Sequence, residues 1–140
     1  PLDLELCRDS MQDALEFFRH HFPSKPFVGF ACASWILNPF LGRIFRANSN
    51  MVMWQKELFL YPVAFGDRPG FNEVFGRVDI PLNEAPRDTS LRRAMLKHLE
   101  SGQRLLGGGM FFLTEDFPGF GEQVYRSNSL PTLEHSGCLI

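Results

Sequence analysis

The stretch Phe27 to Pro39, reading Phe-Val-Gly-Phe-Ala-Cys-Ala-Ser-Trp-Ile-Leu-Asn-Pro, constrains the fold more than any other part of the chain. Its first nine residues are almost continuously apolar, and small or β-compatible. That is the composition of a strand covered on both faces, so the run is expected to be a central strand. Asn38-Pro39 then stops it. Proline suits the first position of a helix and Asn38 can cap the amides behind it, so a helix is expected to follow. In open α/β sheets the groove beyond the carboxyl end of such a strand is the usual ligand site, and the polar residues stationed there are Cys32, Ser34 and Asn38.

Around this run the chain reads as one domain, or half of a larger one. With 140 residues, 44% of them hydrophobic and fifteen of them phenylalanine, there is enough apolar surface for a core. A formal charge of −2 offers no general attraction to nucleic acid or to anionic lipid. No apolar run reaches the roughly 20 residues that span a bilayer, and no leader pattern opens the chain, so a cytoplasmic protein is expected. Cys7, Cys32 and Cys138 are odd in number and widely spaced, which suits neither a disulfide framework nor a zinc motif.

Apolar residues Leu4, Cys7, Met11, Ala14, Leu15 and Phe18 recur at helical steps, with Asp3 as a cap and His20-His21 at the far end. A short helix is expected over Phe40 to Phe45. Met51 to Phe65 reads as a short helix followed by a strand, with Asn50 able to cap it. Gly66-Asp67-Arg68-Pro69-Gly70 is turn chemistry, and Phe71 to Arg77 is expected to return as an antiparallel strand, completing a hairpin. Asp88-Thr89-Ser90-Leu91 starts a third helix with Leu91, Ala94, Met95 and Leu99 inward, ended by Gly102. Gly107-Gly108-Gly109 is expected to be a turn and Met110 to Leu113 a last strand. From Phe117 to Ile140 the pattern dissolves into Gly, Pro and Ser, so residues 116–140 are expected to be an irregular, poorly ordered tail.

Taken together, the run through Asn38-Pro39, then Ser49-Asn50, Tyr61-Pro62, Val74-Phe75-Gly76-Arg77, Pro86 to Leu91 and Gly109-Met110-Phe111, resembles the GNAT-like C-terminal domain of bacterial acyltransferase-domain proteins. The likeness covers most of residues 1–115. It implies an α/β fold, a GNAT-like mixed sheet with helices on both faces. It also implies transfer of an acyl group from acetyl-CoA or another acyl-CoA to a small-molecule amine acceptor. On this mapping the opening helix faces the coenzyme pyrophosphate and the Phe27–Trp35 strand splays to admit the pantetheine arm. The strand and glycine-rich turn that precede that helix in the family have no counterpart from Pro1 onward, so the chain is expected to be the carboxyl half of an enzyme whose amino-terminal half is its partner. Ala33 stands where family members commonly carry His.

Acyl transfer to an amine needs a base for the ammonium proton, donors for the thioester oxygen and an acid for the leaving thiolate. Ser34 and Asn38 read as cofactor or oxyanion donors, or as turn and cap residues. Cys32 and Trp35 read as cofactor-channel lining or as core, and Tyr61 as a general acid or a structural phenol. Arg87-Asp88-Thr89-Ser90 reads as a phosphate grip or a helix cap. Two rival functions stand beside the transferase: a non-catalytic scaffold, and a cysteine hydrolase using Cys32 with His20 or His21. A metal site of Cys7, His20 and Cys32 would need a coincidence in space, because no paired-ligand spacing supports it.

Overall fold

The structure, a computed structural model, describes residues 3–127. It is a mixed α/β unit of six helices and three strands among those residues. The opening helix α1 (Leu4–His21) starts where expected, with the Asp3 carboxylate accepting from the amides of Glu5 and Leu6. The first strand, β1 (Gly29–Ser34), runs through a single 3₁₀ turn (Trp35–Leu37) into the one-turn helix α2 (Leu41–Ile44). Then α3 (Asn50–Glu57) and β2 (Phe59–Val63) realise the expected helix and strand, with Ser49 rather than Asn50 as the cap. After α4 (Phe71–Phe75) and α5 (Ser90–Glu100), β3 (Gly107–Leu113) completes the sheet. A 3₁₀ stretch (Thr114–Gly119) and α6 (Val124–Ser127) follow.

The sheet order is β1-β3-β2, and both pairings are antiparallel. This corrects the expectation for Phe27–Trp35. The strand in the middle is β3, whereas β1 is an edge strand on which Gly29, Ala31, Cys32 and Ala33 are all exposed. Continuous apolarity states that a strand needs cover, but not whether the cover lies on its faces within this chain.

Two more expectations are overturned. Phe71 to Arg77 is not a returning strand: Gly70 and Gly76, at φ +79° and +77°, bracket the five-residue helix α4, and β2 pairs with β3 instead of making a hairpin. Gly107-Gly108-Gly109 is not a turn but the first half of the central strand. The reason is close approach. A side chain at Gly108 would strike the backbone carbonyl of Leu37, while side chains at Gly107 and Gly109 would strike the rings of Phe65 and Tyr61 on the other face.

One apolar cluster gathers Met110 and Phe112 of β3, Leu15 of α1, Leu37 and Leu58. Phe117, Phe120 and Tyr125 are buried in the same cluster, so the first part of the stretch read as irregular from residue 116 is packed structure. The rest of that reading, residues 128–140, lies outside the described residues. Tyr125 fixes the end of β3: its hydroxyl donates to the Asp116 carboxylate (2.7 Å) and accepts from the Leu113 amide (2.8 Å). The buried Glu57 holds the same segment, with Oε2 accepting from the amides of Gly121 and Gln123. A second cluster, Phe71, Phe75, Ala85, Met95, Leu96 and Leu105, joins α4 to α5. Here Thr89 rather than Asp88 caps α5, and Asp88 pairs with Arg92 one turn on.

Gly108→Ala is expected to destabilise the fold by about 1–3 kcal/mol, because a backbone carbonyl yields less readily than a side chain. Gly42→Ala, with nothing within 4 Å of the added carbon, is expected to be neutral or slightly stabilising in the same urea titration. Burial, and then the bond to Asp116, push the Tyr125 phenol up to about 12. Since the folded value lies above the ordinary one, this contribution is complete below pH 10 and is lost as pH rises through 12. Tyr125→Phe is expected to flatten the fall of Tm across that window and to cost roughly 1–3 kcal/mol at neutral pH.

Candidate functional site

Side chains alternate across a strand, and the register therefore sorts the site candidates onto two faces. Ala33 pairs with Gly109, and Gly109 with Tyr61, so these three share one row and one face. With no side chain at Gly109, the Tyr61 ring lies across the central strand, leaning on Phe111 at 6.5 Å between centroids, and remains 37% exposed. Cys32, in the row of Met110 and Leu60, belongs to the opposite face. Its thiol is exposed, which rules out the small-core-residue reading.

At the carboxyl end of β1 the chain opens a recess of about 850 Å³. Ala33, Ser34 and Trp35 form one wall, and the loop Phe65 to Gly70 with Glu73 and Asp79 forms the other. The Ser34 oxygen accepts from the Ile36 amide at 3.4 Å, which turns the chain out of the strand and leaves its own proton to donate. Trp35 is held by Gly70, whose left-handed backbone (φ +79°) lies so close to the indole that any side chain there would overlap it. Arg68 donates to the Ile80 carbonyl (3.3 Å) and lies over the Phe71 ring (5.1 Å), which fixes the far wall. On the rim, the Arg77 guanidinium bonded to Asp79 holds that carboxyl below its usual range.

Asn38 is not free for a ligand. It is buried, its Nδ2 donates to the Leu106 carbonyl (2.7 Å) and its Oδ1 accepts from the Phe40 amide (2.9 Å). It closes the turn ahead of α2, whose own N-cap, Phe40, has no side-chain bond, and it clamps that turn to the entrance of β3. Thus Ser34 and Trp35 share the recess, Tyr61 lies across Gly109 from its Ala33 wall, and Cys32 and Asn38 lie elsewhere. The loop wall was missed in the sequence because Gly-Asp-Arg-Pro-Gly reads only as a turn; the one signal was its Arg beside Phe71.

Along the outer side of β1 no strand is paired among the described residues, so the edge amides and carbonyls of Gly29 to Ser34 face outward beside the recess. Nearby, α1 leaves Phe17 (53%), Phe18 (40%) and Phe22 (42%) exposed, although Phe18 was expected on its inner face. His20 and His21 lie edge to face against each other at the end of that helix, with His21 also against Phe17. His98 lies tilted against Phe40 (4.2 Å between centroids) and meets the Arg104 carbonyl (3.1 Å), a boundary role. Arg87 pairs with Glu100, and Arg93 donates to the Arg87 and Asp88 carbonyls, so that segment closes on itself. Among the described residues no group of three or more His, Cys, Asp or Glu could hold a metal ion, and no helix is long and apolar enough to cross a membrane.

Solved structures share this fold. An acyltransferase in complex with CoA and 10C-Teicoplanin is similar at 27% identity and a TM-score of 0.65, over 76% of this chain and 35% of that one. An acyltransferase mutant in complex with octanoyl-CoA is similar at 28% identity and a TM-score of 0.64, over 76% of this chain and 35% of that one. An acyltransferase in complex with decanoyl-CoA superposes with a TM-score of 0.61 at 23% identity, over 77% of this chain and 34% of that one. The chain thus spans about a third of the length of these structures. No curated protein matches the sequence. The GNAT-like C-terminal domain family matches residues 1–111, which include α1, all of β1 and β2 and most of β3, and the chain belongs to that family.

Proposed function

We propose that this chain is the carboxyl-terminal part of a coenzyme A-dependent N-acyltransferase that moves an acyl group from acyl-CoA to the amine of a small-molecule acceptor. One observation carries the reading: a strand edge left unpaired among the described residues, Gly29 to Ser34, runs into a recess walled by Ser34 and Trp35. Outward amides and carbonyls at a strand edge match the amide-rich pantetheine arm of coenzyme A, as they would match another strand. Its structural neighbours are acyltransferases crystallised with CoA, octanoyl-CoA and decanoyl-CoA.

In this scheme the arm lies along β1 with the thioester at the recess. The amine nitrogen attacks the thioester carbon and loses a proton, the C–S bond breaks, and the thiolate takes a proton. The Ser34 hydroxyl donates to the carbonyl oxygen as charge builds on it. Tyr61, on β2 across the central strand and on the face that carries Ala33, is the acid for the thiolate. Trp35 walls the recess, Cys32 is an exposed side chain further back along the β1 edge where the arm would run, and Asn38 acts through the turn it holds rather than by contact. The base for the ammonium belongs to the other part of the site. We assign that part to an amino-terminal portion of the same protein, which would cover the β1 edge and the exposed rings of α1. The family-like unit is taken as residues 1–115, with Phe117, Phe120 and Tyr125 packed onto it, and the protein is taken as cytoplasmic.

A second reading, a non-catalytic scaffold, is favoured by Ala33, which puts a methyl group in the Tyr61 row at the recess wall. Titrating octanoyl-CoA into the chain alone and into the chain joined to an amino-terminal part separates the two. Saturable binding by the joined form is expected, and Ser34→Ala should weaken it about fivefold, the roughly 1 kcal/mol of one hydrogen bond. Tyr61→Phe should lower kcat for thiol release by roughly 10² with KM little changed. No binding by either form would leave the scaffold.

A further inference from the structure

A second recess lies at the opposite edge of the sheet from β1, between α3 and β2, with β3 separating the two. We propose that it binds an amphiphilic anion: a single alkyl chain of medium length with a phosphate or carboxylate head. Its volume is about 390 Å³, within the roughly 300–1,000 Å³ common for small-ligand sites. The floor is apolar, built from Val52, Leu58, Leu60 and the ring of Tyr125. Three of these are nearly closed to solvent, at 6% for Val52, 2% for Leu58 and 7% for Tyr125, so the floor is a continuation of the core and not a loose surface patch.

The rim has the opposite character. Arg43, Lys56 and Arg126 stand around the mouth, and no Asp or Glu is among the lining residues. Neither Arg43 nor Lys56 has a carboxylate partner among the described residues. In a chain of net negative charge, an anion at the mouth would give Arg43 and Lys56 the counter-charge that no described carboxylate supplies. The wall is fixed. The Arg126 guanidinium reaches the Lys56 and Gln55 carbonyls at 3.5 Å, and the buried Gln55 donates to the Ile36 carbonyl at 2.7 Å. Guanidinium groups favour phosphate and carboxylate oxygens through paired bonds, and the apolar floor selects against a bare inorganic ion. The site rests on this cavity alone and stands whatever β1 binds.

Calorimetric titration of the 140-residue chain with octyl phosphate, held below its micelle-forming concentration, tests the assignment. One saturable site is expected, with inorganic phosphate and octyltrimethylammonium each weaker by at least about tenfold. Lys56→Glu and Arg43→Glu, both substitutions at the rim, should each weaken octyl phosphate by about tenfold with Tm little changed, whereas Ser34→Ala should leave it unaltered. Equal binding by the rim variants, equal binding of inorganic phosphate, or loss on Ser34→Ala would overturn the site. So would sedimentation with phosphatidic acid vesicles in the absence of saturable octyl phosphate binding, since the rim would then serve a lipid surface and not an enclosed ligand.

Discussion

The fold depends on how closely other groups approach the first half of its central strand. Gly107, Gly108 and Gly109 have no side chains, so the Leu37 carbonyl can press on one face of β3 while Phe65 and Tyr61 lie flat on the other. That contact draws the chain leaving β1 back across the sheet, where Asn38 bonds to the residue just before β3. The recess beside Ser34 exists because the exit of β1 is pinned in this way. Substituting any of the three glycines would displace the turn, the loop wall or the Tyr61 ring.

Much of this was legible because its causes are local. Asp3 and the three- and four-residue steps of Leu4, Cys7, Met11 and Leu15 announce α1, and Ser90 to Gly102 announces α5 in the same manner. A recess does lie at the exit of β1 with Ser34 and Trp35 in its wall, although the expectation came from a rule for parallel sheets and β1 is the edge strand of an antiparallel one. What escaped was non-local. Three consecutive glycines read as a turn unless it is known that a carbonyl seventy residues earlier needs the space. Gly70 and Gly76 read as punctuation between strands, yet they are the two ends of a helix too short to show a period. Phe117, Phe120 and Tyr125, spread among Gly and Pro, carry no periodicity, and only their packing against Met110 and Phe112 of β3 explains why three rings fall there.

The two edges of the sheet have been finished differently. At the β2 edge the chain supplies its own cover, through α3, the Tyr125 ring and the segment that Glu57 clasps. At the β1 edge it supplies none within the described residues. The solved neighbours are about three times as long as the matched stretch, which covers about a third of them.

The edge of β1 also bears on how such a chain behaves as a polymer in solution. It carries Gly29, Ala31 and Ala33 on one face, and neither proline nor charge interrupts it. Natural sheets guard uncovered borders with lysine, proline or a bulge, because a flat ladder of free amides recruits a like ladder from another molecule. With no such guard here, concentrated preparations of the separate domain should drift toward head-on strand pairing and precipitation. Solubility, more than heat tolerance, would then set the practical limit on its handling.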